Sequence, residues 1–183
     1  MFIKQISKSL EAAVLFGEID IEKAQTTLKK LSEAKANAKL LQLSPIKNII
    51  SPFQVFVAAG QTMNAIETNS SFSKSPELEF LCRLNAESQI DKAINLSELK
   101  KGKNTVCLVI VTAGAGKNIA KKQLQEAASK IGMKEKKIDL DKNKNVVMKH
   151  FGIAKKELEA LSDLKNPLEA AVIERIALLN LTN

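Results

Sequence analysis

"TVCLVIVTAGAGKNIAKKQL", residues 105–124, decides what kind of chain this is. An apolar run enters a Gly-rich loop that carries a lysine, and a helix-like segment follows. That is the layout of a phosphate-cradling loop, which would make the chain a nucleotide-binding protein. The spacing rejects it. A Walker A loop needs Gly, four residues, then Gly-Lys-Ser/Thr. The first glycine would have to stand at Val111, and Asn118 follows Lys117 where a hydroxyl would hold magnesium. The dinucleotide pattern G-x-G-x-x-G begins with Gly114 and Gly116 but has Ile119 at its third glycine. What remains is a strand buried on both faces over 106–111, a turn in which the glycines supply backbone freedom, and a helix over 118–131 ended by Gly132.

The rest of the chain arranges itself around that strand. Residues 2–7 read as a short strand, "AAVLFGEI" is a second candidate, and "AKLLQLS" a third. Asp20 is placed to cap a helix over 21–36, with Ile21, Ala24, Leu28 and Leu31 on one face. Ser51-Pro52 and Ser75-Pro76 are cap-then-proline starts. The first opens a helix with Phe53, Phe56, Val57, Gly60 and Met63 on a shared side. The second opens one helix or two, with the break at Asn85-Ala86 if there is one. "KKIDL" is a weak strand, two short helices follow over 143–151 and 154–161, and a last helix starts at Pro167. The sum is α+β: a small mixed, largely antiparallel sheet packed with many helices, as a single domain over 1–183.

Composition narrows the function. Between Lys100 and Lys156 fifteen lysines face four acids, a net of about eleven positive within a chain of formal charge +8. Such a section suits a polyanionic partner, with a solvated lysine-rich surface as the alternative. There is no Trp and no Tyr, so a base-stacking platform is missing, and RNA recognition would rest on phosphates, shape and hydrogen bonds. Catalysis is poorly supplied. The one histidine, His150, has no triad or metal-ligand pattern around it, and the acid pairs Glu77/Glu79 and Asp139/Asp141 read as exposed positions on a helix and a strand. We therefore expect no enzyme activity, no cofactor and no metal. Cys82 and Cys107 sit in apolar surroundings far apart, as reduced buried thiols of a cytoplasmic protein do, and no stretch reaches membrane-spanning length.

The last helix carries apolar residues on more than one side. Leu168, Ala171, Val172, Ile176 and Leu179 form one stripe, and Ile173, Ala177, Leu178 and Leu181 fall largely outside it. A surface helix needs a single stripe. Either the helix is fully buried or its second face meets a partner. A terminal helix is easier to place at a periphery, which favours the partner.

Three stretches carry a family likeness: "SPFQVFVAAGQTMNAI", "SKSPELEFLCRLNAESQIDKAI" and the tail "NPLEAAVIERIALLNL". With their order and spacing, the chain resembles the small subunits of the KEOPS complex, the TPRKB-type proteins that bind the complex's atypical kinase. The resemblance implies a non-catalytic adaptor. It would dock on the kinase/ATPase subunit and recruit tRNA through its single-stranded 3′ CCA end, for threonylcarbamoyl modification carried out by another subunit. It implies an RNA-end cleft around Lys74, Arg83, Gln89, Ile90 and Gln54, and a kinase-facing surface of Ile173, Ala177, Leu178 and Leu181. Gln54 stands where the family often has His, Ala86 where the signature has glycine, and Ser88 where it has arginine. The alternative keeps the kinase docking and drops the RNA. From another class, a nucleotide-dependent enzyme using Lys117 is the remaining reading.

Overall fold

The computed structural model describes residues 1–22, 24–35, 37–114 and 118–181. Ala115, Gly116 and Lys117 of the Gly-rich loop lie outside the described residues, as does the side chain of Leu181. The chain divides into two compact units, neither contiguous in sequence: Met1–Pro45 with Ser97–Ile138, and Ile46–Leu96 with Asp139–Asn183.

The first unit holds the sheet. Strands β1 (Phe2–Gln5), β2 (Leu10–Ile21), β3 (Leu40–Pro45) and β4 (Gly102–Ala113) run in the order β1-β2-β4-β3, and the two-residue β5 (Lys134–Glu135) also pairs with β2. Every pairing among the described residues is antiparallel. The axis of the sheet is the long β2–β4 ladder, in register from Leu10↔Ala113 to Ile21↔Gly102. As the apolar run predicts, β4 is buried continuously from Val106 to Val111. One sheet face, with Ala13 and Leu15 of β2, Leu41 and Leu43 of β3, and Leu108 and Ile110 of β4, packs beneath two helices, α1 (Ala24–Ala34) and α5 (Ile119–Ile131). Gly132 ends α5 in the left-handed region at φ 72°, as a C-terminal glycine should. Gly17 is required by the close approach of β5: a Cβ there would fall on the Lys134 carbonyl oxygen.

Two expectations about strand and helix bounds fail. Asp20 is not a helix cap. It lies in β2 opposite Lys103, and Ile21 pairs with Gly102, so the ladder claims both residues and the helix starts at Ala24. The face drawn through Leu28 fails with it, since Leu28 is 62% exposed while Leu31 is buried. "KKIDL" is not a strand either. Strand pairing is confined to Lys134–Glu135, and the Asp139 carboxylate instead accepts from Asp141 N at 3.2 Å, capping the 3-10 turn Leu140–Asn143.

The second unit is helical. It comprises α2 (Pro52–Glu67), α3 (Pro76–Asn85), α4 (Ile90–Leu96), α6 (Lys144–His150), α7 (Lys155–Ala160) and α8 (Pro167–Leu178), which runs on into a 3-10 turn, Leu179–Leu181. The serine caps work as read: Ser51 Oγ accepts from Gln54 N and Ser75 Oγ from Leu78 N. The second signature stretch is two helices, broken where Ala86 takes φ 48°, ψ 45°. Left-handed backbone at an alanine costs about 1 kcal/mol, which gives a physical reason for the glycine that the resemblance places there. The core of the unit joins Val147, Phe151 and Ile153 to Leu168, Ala171, Val172 and Ile176 of α8.

Candidate functional site

Arg83 is the largest fully buried side chain in the described chain, and Glu79, one helical turn earlier, is equally inaccessible. The guanidinium donates from Nε to the carboxylate, 2.8 Å from Oε1, and Nη2 lies in ion-pair range 2.7 Å from the same oxygen, while neither Nη1 nor Nη2 has a hydrogen-bond partner among the described residues. The other carboxylate oxygen accepts two backbone N–H bonds, from Phe72 at 2.6 Å and Ser73 at 3.1 Å. The Phe72 ring lies 4.7 Å from the guanidinium carbon. These contacts make one device. The ion pair within α3 fastens the loop before it, and Phe72 lids the cation. The expectation that Glu79 is an exposed helix position is therefore wrong. From Glu79 to Asn85 every residue of α3 is buried, so this part of the helix has no solvent-facing side. The spacing of four from Arg83 is the sequence signal that could have found the pair.

Gln54 is likewise interior. Its amide donates to Asn48 O at 2.9 Å and Leu84 O at 3.3 Å, and its oxygen accepts from Ile50 N at 2.9 Å. Asn48 donates to the Asn85 side chain at 2.9 Å, and Asn143 donates to Ile46 O and Ile49 O. This network holds the turn ahead of α2 against the ends of α3 and α6. A side chain with all these partners is a structural glutamine. Of the five residues expected in an RNA-end cleft, then, Arg83 and Gln54 are buried, while Lys74 and Gln89 are exposed and Ile90 is half-buried. Lys74 leads into the cap of α3, and Gln89 and Ile90 open α4. The structure does not gather the five into one open cleft.

The network ends at His150. Its Nε2 lies 3.0 Å from Asn85 O, and its ring meets Phe151 edge-on at 4.6 Å. Burial holds its pKa below the ordinary imidazole value; the bond to the Asn85 carbonyl and Glu87 oppose this, and Lys47 adds to it. The linkage follows. A folded-state pKa lower than the unfolded one means that the unfolded chain takes up the proton first. Stability is thus full above about pH 6.5 and declines as the pH falls from there through the folded-state value. We expect the melting temperature to drop more between pH 7.5 and 5 in the wild type than in His150→Gln, as read by thermal melts of both proteins at matched pH.

α8 presents two different sides. Leu168, Ala171, Val172 and Ile176 are buried, and Leu179 beyond them is 5% exposed. This is the inner stripe that the sequence defines. Away from that stripe Ile173 is half-buried and Ala177 is exposed, while Leu178, at the end of the helix, is 39% exposed. Leu178 itself lines a cleft of about 400 Å³, together with Asn85, Ala86, His150, Phe151, Arg175 and Leu179. Arg175 is held beside it by Glu157, with Nη2 2.8 and 2.9 Å from the two carboxylate oxygens.

Among the described residues no three His, Cys, Asp or Glu side chains stand close enough together to hold a metal ion. Both cysteines are free and buried. Burial first, then Glu79, pushes the Cys82 thiol up to about 11, and burial raises Cys107 as well, which removes thiolate reactivity near neutral pH. No helix among the described residues is long and apolar enough to cross a membrane. Compared with known families, the chain matches the one described as kinase binding protein CGI-121 over residues 19–180. No curated protein matches it.

Proposed function

Since the chain belongs to the CGI-121 family of kinase binding proteins, we propose that it is a non-catalytic adaptor of the KEOPS complex. It docks the atypical kinase subunit with the outer side of α8 and brings tRNA to the complex through the 3′ CCA end. The observation that carries the docking is the division of α8. Its inner stripe is spent on the core, so Ala177 and Leu178 are apolar residues left for a partner. For the RNA end, the available side chains are Lys74, Gln89 and Ile90.

One observation favours a second reading, a kinase-docking regulatory subunit without direct RNA contact. Burial removes Arg83 and Gln54, two of the donors on which the RNA-end cleft depends. Two measurements on the full chain separate the readings. The kinase subunit should co-purify under either. A gel-shift titration with intact tRNA and with tRNA trimmed of its CCA should give tighter binding to the intact RNA under the first reading and no binding to either under the second. Failure to retain the kinase would remove both.

A further inference from the structure

We propose that the outer surface of α1 and α5 is a backbone-binding face for structured RNA, contacting phosphates without reading sequence. The choice of RNA rests on the tRNA-recruiting reading above; the face itself rests on packing and charge. The two helices lie side by side over one face of the sheet. Each spends its apolar side on the core, α1 through Leu31 and Ala34 and α5 through Ala120, Leu124, Ala127, Ala128 and Ile131. The sides turned to solvent carry Lys29 and Lys30 on α1 and Lys121, Lys122 and Lys130 on α5. Only Glu33 and Glu126 oppose them on these helices. None of the five lysines is ion-paired among the described residues, whereas Lys136 is held by Glu18 at 2.7 Å and Lys142 lies 4.0 Å from Asp139. Neither helix carries an acid in its first turn.

The chemistry of the partner follows. Unpaired ammonium groups on adjacent helices repel one another, and a polyanion that neutralises them gains by counterion release. A membrane surface fits poorly. A helix lying on lipid needs a free apolar side, and both helices have used theirs, leaving Leu28 as the only large apolar side chain exposed on either. Neither helix carries an aromatic residue, so single-stranded bases find nothing to stack on. Packed helix axes lie about 8–10 Å apart, so the lysines stand as one group on each of two adjacent helices, a spread that suits the phosphates of a folded RNA better than one extended strand. The sequence points to the lysines of 100–156 alone. The fold divides that section between the two units and adds Lys29 and Lys30 from a distant part of the chain.

The test uses the full chain with Lys29, Lys30, Lys121, Lys122 and Lys130 all changed to Gln. Wild type and variant are titrated with intact and CCA-trimmed tRNA between about 50 and 200 mM salt. At the lowest salt we expect both RNAs to lose affinity by the same factor, about tenfold or more, and the salt slope to flatten by about 0.7–0.9 for each lysine that meets a phosphate. If the thermal melt of this variant drops, the pair Lys121→Gln/Lys122→Gln reads the same change at smaller size. Unchanged affinity and slope overturn the proposal, as does a loss confined to intact tRNA, which would mean that the face reads the end. A wild type that binds no tRNA overturns it together with tRNA recruitment. A wild type that binds both RNAs equally, with both weakened in the variant, removes the CCA reading and keeps the face. A parallel titration with phosphatidylserine vesicles overturns the proposal if the variant loses vesicle binding while its tRNA binding is unaltered.

Discussion

Replacing Arg83 with alanine should lower stability by about 3–5 kcal/mol, a fall in melting temperature of about 6–20 °C for a chain of this size. The substitution removes one partner of an ion pair in which both side chains are inaccessible, and it leaves the Glu79 carboxylate in the interior with only the N–H groups of Phe72 and Ser73 on one oxygen. The Phe72 ring loses its cation at the same time. Lysine should not rescue the site, because an ammonium group cannot reproduce the Nε contact of the planar guanidinium. The double change Glu79→Gln/Arg83→Met should recover part of the loss, since it removes both charges while the glutamine oxygen can still accept from the loop. Thermal and urea melts of the four proteins decide this. If Arg83→Ala melts like the wild type and loses only affinity for intact tRNA, then Arg83 is an RNA ligand and the interior reading fails. If stability falls and intact and trimmed tRNA weaken alike, it is a fold residue.

Arg83 also marks where the sequence stops being informative. Its neighbourhood was legible as a helix, and Ser75-Pro76 set its start to the residue, because capping and proline geometry are decided within a few positions. The inner stripe of α8 was legible for the same reason, through its period. That α3 is enclosed on all sides from Glu79 to Asn85 depends on elements brought against it from elsewhere in the chain, and two acids with an arginine read more naturally as a solvated side. The misplaced start of α1 has a related cause. Asp20 is a good cap by local rules, but β2 is held in register by β4, which lies far along the sequence, and the ladder extends as long as the partner strand does. The resemblance implies an RNA-end role for Arg83 and Gln54. In the fold both serve the framework, and the accessible candidates are Lys74, Gln89 and Ile90.

Leu178→Glu should abolish binding to the kinase subunit and leave the fold almost untouched, whereas Ile176→Glu should unfold the protein. The two residues are neighbours on one helix and differ in exposure: Ile176 is fully buried in the helical core, and Leu178 is 39% exposed. In the free chain a carboxylate at 178 can point into water, so the stability change should stay within about 0.5 kcal/mol, as for surface substitutions generally. At the centre of a dry interface the same carboxylate would be desolvated without a partner, because the nearby Arg175 is already held by both oxygens of Glu157. A penalty of about 3 kcal/mol or more weakens the complex more than about 100-fold. Calorimetric titration with the kinase subunit, run beside circular dichroism melts, reads both quantities. Unaltered affinity with an unaltered melt would show that the outer side of α8 does not meet the kinase. A collapsed melt for Leu178→Glu would assign Leu178 to the core, and the partner would then have to be sought on another surface.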